Sequence, residues 1–437
     1  MQGVSSTPQV TRLRPIAVAA YGPTVLSSIG TGAVLPVLAL TARDLGASVG
    51  TAAVIVSLLG VGMLVGDLPA GALAARFGER RALLAASVAE AVGMTAAGLA
   101  PSVVTLAAAV LALGLAGSVF GLARHAYLTN AVAPSLRARA LSTLGGVHRV
   151  GIFVGPFVGA LVLSWWGSIG PYAVGAAAAL AAAGLVAVTK DLAVRDAAHR
   201  ADRASTVRSR EGSLTVFRVL RDHRRVLTTL GFGVIAVAAT RAARNAIVPL
   251  WAEAIGLDAT STSIVFGLSG AADMLLFYPA GWAMDRFGRV YIAVPSMLVL
   301  GLGMVLVPFA STFWALVVVA TVLGIGNGIG SGILMTLGAD ASPEVGRAQF
   351  LGGWRLMGDI GWASGPALVS AVAVLASLGT ASVVMGVVAW AGAAWLKVWV
   401  PRFDPIRPKR SALDSQVPGP SAPSSSAPNS ERSTPEQ

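Results

Sequence analysis

The chain contains no cysteine, which excludes disulfides, thiolate metal sites and a cysteine nucleophile. Lysine is nearly as scarce. Lys190, Lys397 and Lys409 stand against 29 arginines, and none has the Gly-Lys-Ser/Thr context in which a P-loop holds phosphates. ATP hydrolysis by this chain is therefore not expected. Four histidines without a His-Glu-x-x-His pattern, and no dense group of carboxylates, leave no recognisable catalytic metal site. Charge is short as well: 12% of 437 residues are charged and 55% are hydrophobic, too little polar surface to coat a soluble globule. These shortages predict a protein dissolved in lipid that is not an enzyme and carries no cofactor or metal.

What is present is a series of apolar runs of the length that crosses about 30 Å of hydrocarbon. Twelve are placed near 15–42, 50–72, 81–100, 103–128, 141–166, 170–189, 227–254, 262–283, 290–310, 312–336, 348–376 and 379–400. No stretch alternates with the period of two that barrel strands require, so the spans are read as helices. The first span follows Arg12 and Arg14 but is too long for a signal-peptide core and is read as retained. Of the 32 Lys and Arg, 26 fall in the N-terminal arm, the C-terminal tail or connections that alternate to one side, and Arg43 alone lies on the other. By the positive-inside rule both termini are expected in the cytoplasm. The net charge of +12 is thus a matter of topology and calls for no nucleic-acid partner.

Two stretches about 210 residues apart say nearly the same thing: PAGALAARFGERR from Pro69 and PAGWAMDRFGRVY from Pro279. Gly151, Gly155 and Pro156 answer to Gly361, Gly365 and Pro366 at the same offset, with Gly159 completing the first set. On these residues the chain, over roughly 15 to 400, resembles the major facilitator superfamily of secondary transporters, built from two related halves. The resemblance implies an all-α membrane protein of twelve transmembrane helices in two six-helix pseudo-symmetric halves. Its parts would be an N-terminal arm (1–14), a first half (15–189), a central cytoplasmic loop (190–226), a second half (227–400) and a disordered tail (401–437). It also assigns Gly71, Arg76, Gly78 and Arg80, with Arg81, to a gating loop in the first half, and Gly281, Asp285, Arg286, Gly288 and Arg289 to its counterpart. Ala75 and Glu79 depart from the loop pattern, which predicts an asymmetric latch in which Asp285 contributes more. Gly151, Gly155, Pro156 and Gly159 match in part a helix 5 motif that the family associates with exporters; physically, small residues permit close helix packing and Pro permits a bend. The central loop, with ten basic and five acidic residues over 190–225, reads as a solvated tether or, at LTVFRVLRDHRRVL, a short amphipathic helix on the membrane surface.

Ionisable residues inside spans are costly and mark substrate or ion pathways unless pairing explains them. Charge counting half by half pairs Asp67 and Glu90 with Arg124 and Arg149. In the second half, Asp273 and Asp359 face Arg241, Arg244 and Arg355, with one positive charge left over. Arg355 and Asp359 are four apart on one helix and can pair along it. Arg241 and Arg244 share a face near the midplane. With Asn245 they are candidate substrate contacts, as is Arg124; alternatively Asp273 neutralises one and the other reaches for the outer interface. Arg124, His125, His148 and Arg149 either snorkel to the cytoplasmic boundary or form a gate. Asp359, then Asp67, and Asp273 are the candidate proton-coupling carboxylates. Trp251, Tyr278, Trp282, Trp354 and Trp362 offer an apolar drug site or interfacial anchors. The reading is a monomeric inner-membrane (plasma-membrane) exporter of small organic molecules driven by protons. An organic-anion importer or exchanger, and a transport-inactive sensor or scaffold, are the alternatives.

Overall fold

The structure, a computed structural model, describes residues 17–132, 136–189, 216–343 and 345–403. The arm, residues 190–215 of the central connection and residues 404–437 of the tail lie outside the described residues. The first half consists of α1 (Ala17–Asp44), α2 (Val49–Phe77), α3 (Glu79–Gly98), α4 (Val103–Ala131), α5 (Arg137–Trp166) and α6 (Ile169–Val188). The second consists of α7 (Arg224–Ala254), α8 (Ala259–Phe287), α9 (Val290–Leu306), α10 (Phe313–Ala341, broken into Phe313–Ile329 and Ile333–Ala341), α11 (Arg347–Leu375) and α12 (Leu378–Trp399). Among the described residues, 11 of these helices are long and apolar enough to cross a membrane. The remaining one, α3, has 20 residues and is less apolar because it opens on Glu79, Arg80 and Arg81 and carries Glu90.

The two sides of the bundle start their helices differently. Where α2, α4, α8, α10 and α12 begin, the side chains of Ser48, Ser102, Asp258, Thr312 and Ser377 accept a hydrogen bond from the backbone N–H three residues on, satisfying an orphan donor of the first turn. On the other side, which carries the basic connections, α2 and α8 stop at Gly78 and Gly288, with φ of +84° and +99°. That conformation is open to glycine at little cost, and it turns the chain directly into α3 and α9.

Packing repeats between the halves. α1 lies on α5 as α7 lies on α11, and α2 lies on α4 as α8 lies on α10; the halves meet chiefly where α2 crosses α11 and α5 crosses α8. Glycine sets the approach. A Cβ on Gly155 would stand 2.7 Å from the Ala33 nitrogen, and one on Gly361 would stand 2.6 Å from the Ile235 carbonyl oxygen. Trp165, Trp166 and Trp314 are exposed near one set of helix ends, and Tyr278, Trp282 and Tyr291 near the other, as two interfacial girdles would be.

One expectation is corrected here. The span placed at 312–336 runs on to Ala341 and is interrupted at Gly330–Gly332, because the glycine-rich run GIGNGIGSG reads as continuously apolar while weakening the helix. The amphipathic segment of the central loop forms a helix at Val216–Asp222, and it packs onto α11. Val219 is buried and would meet a Cβ on Gly346, Leu220 lies over Gly353, and the His223 ring stands edge-on to Phe350.

Candidate functional site

The half-by-half pairing of charges does not hold, because the strongest ion pairs cross between halves. Arg149 on α5 pairs with Asp273 on α8 at 2.6 Å, and its guanidinium also lies 4.8 Å from the centre of the Phe277 ring. It therefore does not snorkel to the membrane boundary. Asn327 on α10 donates to the other oxygen of Asp273 at 2.6 Å. At the second contact, Arg355 on α11 pairs with Asp67 on α2 at 2.7 Å, and the Ser118 hydroxyl on α4 donates to the other Asp67 oxygen. Asp359 lies 3.9 Å from the Arg355 Nε, so the expected pair along the helix exists but is the weaker of two. Its Oδ2 is buried and has no hydrogen-bond partner.

The two clusters are related by the internal repeat with one difference. Asp67 and Asp273, like Arg149 and Arg355, are 206 positions apart, whereas the loop motifs are 210 apart. The α2–α11 pair thus sits about one helical turn nearer the basic side than the α5–α8 pair. A third bridge joins residues that are 210 apart: Arg43, at the end of α1, meets Glu253, at the end of α7, at 3.0 Å, and also donates to the Ala47 carbonyl. This bridge lies on the side opposite the basic connections. The described ion pairs between halves therefore lie at mid-depth and at that opposite side.

Two cavities adjoin at Leu35 and His148. The first, of about 230 Å³, is lined by Arg149, Arg241, Arg244, Asn245, Asp273 and Asn327, with apolar walls that include Ile152, Phe266, Met274 and Trp362. Asp273, occupied by Arg149 and Asn327, makes no salt bridge to Arg241 or Arg244 among the described residues. Arg241 donates instead at 2.6 Å to the Gly330 carbonyl at the break in α10, the negative end of a helix segment. Arg244 makes no hydrogen bond or ion pair among the described residues, and its Nη1 is buried.

The second cavity, of about 370 Å³, brings Glu90, Arg124, His125, Arg355 and Asp359 together. Glu90 accepts from the Ser27 hydroxyl at 2.9 Å and is not ion-paired with Arg124, whose guanidinium lies 5.7 Å from the centre of the Phe120 ring. His148 shares a 2.6 Å hydrogen bond with Ser28, and His125 Nδ1 donates to the Gly121 carbonyl at 2.6 Å. Sequence reasoning did not name Ser27, Ser28, Asn327 or Glu90 as site residues. Their signal was only that each is polar inside an apolar run. Of the five aromatics singled out, Trp362 lines a cavity. Trp251 and Trp354 spend their indole N–H on the Ala310 and Leu334 carbonyls, while Tyr278 and Trp282 are exposed.

The loop residues bond within their own halves. Arg80 donates to the Val186, Ala187 and Thr189 carbonyls at the end of α6. Arg289 pairs with Asp340 at 2.9 Å and with Asp285 at 3.5 Å, and donates to the Met284 carbonyl. Asp285 is 79% exposed. Arg76 lies over Phe77, and Arg286 over Trp282 and Phe287. Gly281 has open space around it, and a Cβ on Gly71 would meet the Leu122 side chain at 3.9 Å. On α5, Gly151 and Gly159 flank Gly155 and Pro156 against α1.

Comparison with known proteins agrees with this architecture. The chain is 27% identical over 355 residues to the multidrug resistance protein MdtH of Klebsiella pneumoniae, covering 78% of this chain and 83% of that one. It is 25% identical over 298 residues to MdtH of Shigella boydii, at 68% and 70% coverage. Among solved structures, a POT family transporter in complex with 5-aminolevulinic acid superposes with a TM-score of 0.70 at 12% identity, covering 92% and 98%. The inward-open xylose transporter XylE from E. coli superposes with 0.68 at 15% identity, covering 89% and 97%. The sequence model of the Major Facilitator Superfamily matches residues 24–240 and again 230–428, and with both halves so matched the chain belongs to that superfamily of membrane transporters.

Proposed function

We propose that the chain exports small organic molecules across the inner (plasma) membrane in exchange for protons, with its basic side in the cytoplasm, working as a monomer. The observation that carries the coupling is the cluster at the α2–α11 contact. There Arg355 serves two carboxylates, Asp67 from the first half and Asp359 from its own helix, while Asp359 lines the cavity with one oxygen unbonded. One cation against two acids changes its net charge when a single proton arrives or leaves. Because the acids belong to different halves, that change acts on the contact that must rearrange in alternating access. Asp359 is assigned as the proton carrier and Asp67 as the group that competes for Arg355. Asp273, held by both Arg149 and Asn327, is assigned a fixed structural charge. Export is the direction favoured by the similarity to multidrug resistance proteins and by the helix 5 glycines. The loop residues from Gly71 to Arg80 and from Gly281 to Arg289 are assigned to closure of the cytoplasmic side.

The test is proteoliposome transport under an imposed pH gradient with a panel of cationic, neutral and anionic compounds. Wild-type protein is expected to move protons against at least one class. Asp359→Asn is expected to lose gradient-driven transport and to keep substrate exchange. Unchanged gradient-driven transport in Asp359→Asn removes the assignment, and silence of wild-type protein across the panel favours the sensor or scaffold reading.

A further inference from the structure

The cavity beside α7 is lined by more cations than anions. Arg149, Arg241 and Arg244 line it, and the carboxylate among its walls, Asp273, is already committed on both oxygens. Arg241 is held by the Gly330 carbonyl. Arg244 is left with a sealed Nη1 and no anion, and Asn245 beside it is buried in the same wall. A guanidinium taken out of water without a counter-ion is costly, and its planar fork matches a carboxylate in two places. The rest of the wall is apolar, with Ile152, Phe266, Met274 and Trp362. At about 230 Å³ the space is several times the roughly 30 Å³ share of one water, too roomy for a lone halide.

We propose that Arg244, with Asn245 beside it, receives the acid group of a small organic anion whose apolar body lies against Ile152, Phe266 and Trp362. This reading rests on the transporter reading of the same cavity and names the substrate class that this part of it takes. Arg241, docked at the break in α10, fixes the floor of the pocket, and Arg149 stays with Asp273. The acid group supplies the direct ion-pair partner that Arg244 lacks among the described residues.

Full-length protein in lipid nanodiscs is titrated with benzoate, with its neutral analogue benzamide, with benzylammonium and with chloride, following tryptophan fluorescence and heat. Benzoate is expected to bind at least about tenfold more tightly than benzamide or benzylammonium, the factor a charge-assisted hydrogen bond supplies. Arg244→Gln is expected to lose that preference, and Arg244→Lys to retain part of it at unchanged monodispersity. Equal binding of benzoate and benzamide overturns the proposal, as does an unchanged preference in Arg244→Gln. Chloride competing as strongly as benzoate overturns the organic-acid assignment. The coupling proposal is read separately: wild-type proton flux evoked by cations, without benzoate preference, leaves coupling standing and removes this one. Benzoate preference without any proton flux does the reverse.

Discussion

Asp273 shows why an acid and a base near each other in sequence space need not be partners. It accepts from Arg149 and Asn327, both at 2.6 Å, so removing its charge strands a guanidinium between the halves. Asp273→Asn is expected to destabilise the protein by about 3 kcal/mol or more, the usual cost of breaking a buried pair from one side. Arg149→Gln combined with Asp273→Asn is expected to recover part of the loss; thermal unfolding in detergent measures both. The titratable residues of the site were legible individually, since a charge in an apolar run stands out. Their partners were not, because a sequence lists charges by half whereas the fold sets α5 against α8 and α2 against α11. Arg355 illustrates this: four residues from Asp359, it prefers Asp67 across the interface by more than 1 Å.

At the scale of helices, the same glycine can be indispensable or idle, and the structure separates the cases. A Cβ on Gly365 would lie 2.9 Å from the Ala239 Cα, with no side chain able to yield, whereas Gly281 has nothing within 4 Å. Gly365→Ala is expected to cost about 1–3 kcal/mol by forcing α11 away from α7. Gly281→Ala is expected to leave stability unchanged or to raise it by up to about 1 kcal/mol through helix propensity. Caps are a further contribution at this scale. The Ser261 side chain and backbone N–H hold the Asp258 carboxyl below its usual range. A carboxyl depressed on folding stabilises above its unfolded pKa of about 4, and the contribution fades as pH falls through the folded value. Replacing Asp258 by Asn is expected to keep most of the cap and remove that acid-side dependence, which unfolding at pH 3 and pH 7 distinguishes; solvent exposure keeps the effect to about 1 kcal/mol or less. Helix positions were largely readable because length and apolarity define a span. The break in α10 was not, since a glycine run changes helix continuity without changing hydropathy.

For the molecule as a whole, the proposed alternating access requires the two halves of the repeat to move as units about a common contact. Each half packs glycines inward, α5 on α1 and α11 on α7, and Gly60 of α2 packs as closely on α11 across the halves, which meet where α2 crosses α11 and α5 crosses α8. Arg43 and Glu253, equivalent positions of the repeat, bridge α1 and α7 on the side opposite the basic connections, and in the proposed cycle they part when that side opens. The absence of native cysteine makes this directly testable. With cysteines replacing both residues, a short bifunctional maleimide is expected to join α1 to α7. Transport is expected to stop, while a water-soluble thiol reagent still reaches a third cysteine at Leu334, in the wall of the first cavity, from the basic side alone. Full transport by the cross-linked protein would mean that this bridge need not open. The charge pair alone holds only weakly, since both side chains are about one-third exposed and such bridges contribute about 0–1 kcal/mol. Arg43→Gln without a cross-link is therefore expected to shift the balance towards the opposite-side-open state by a few-fold at most, read as faster labelling of the same cavity cysteine from that side.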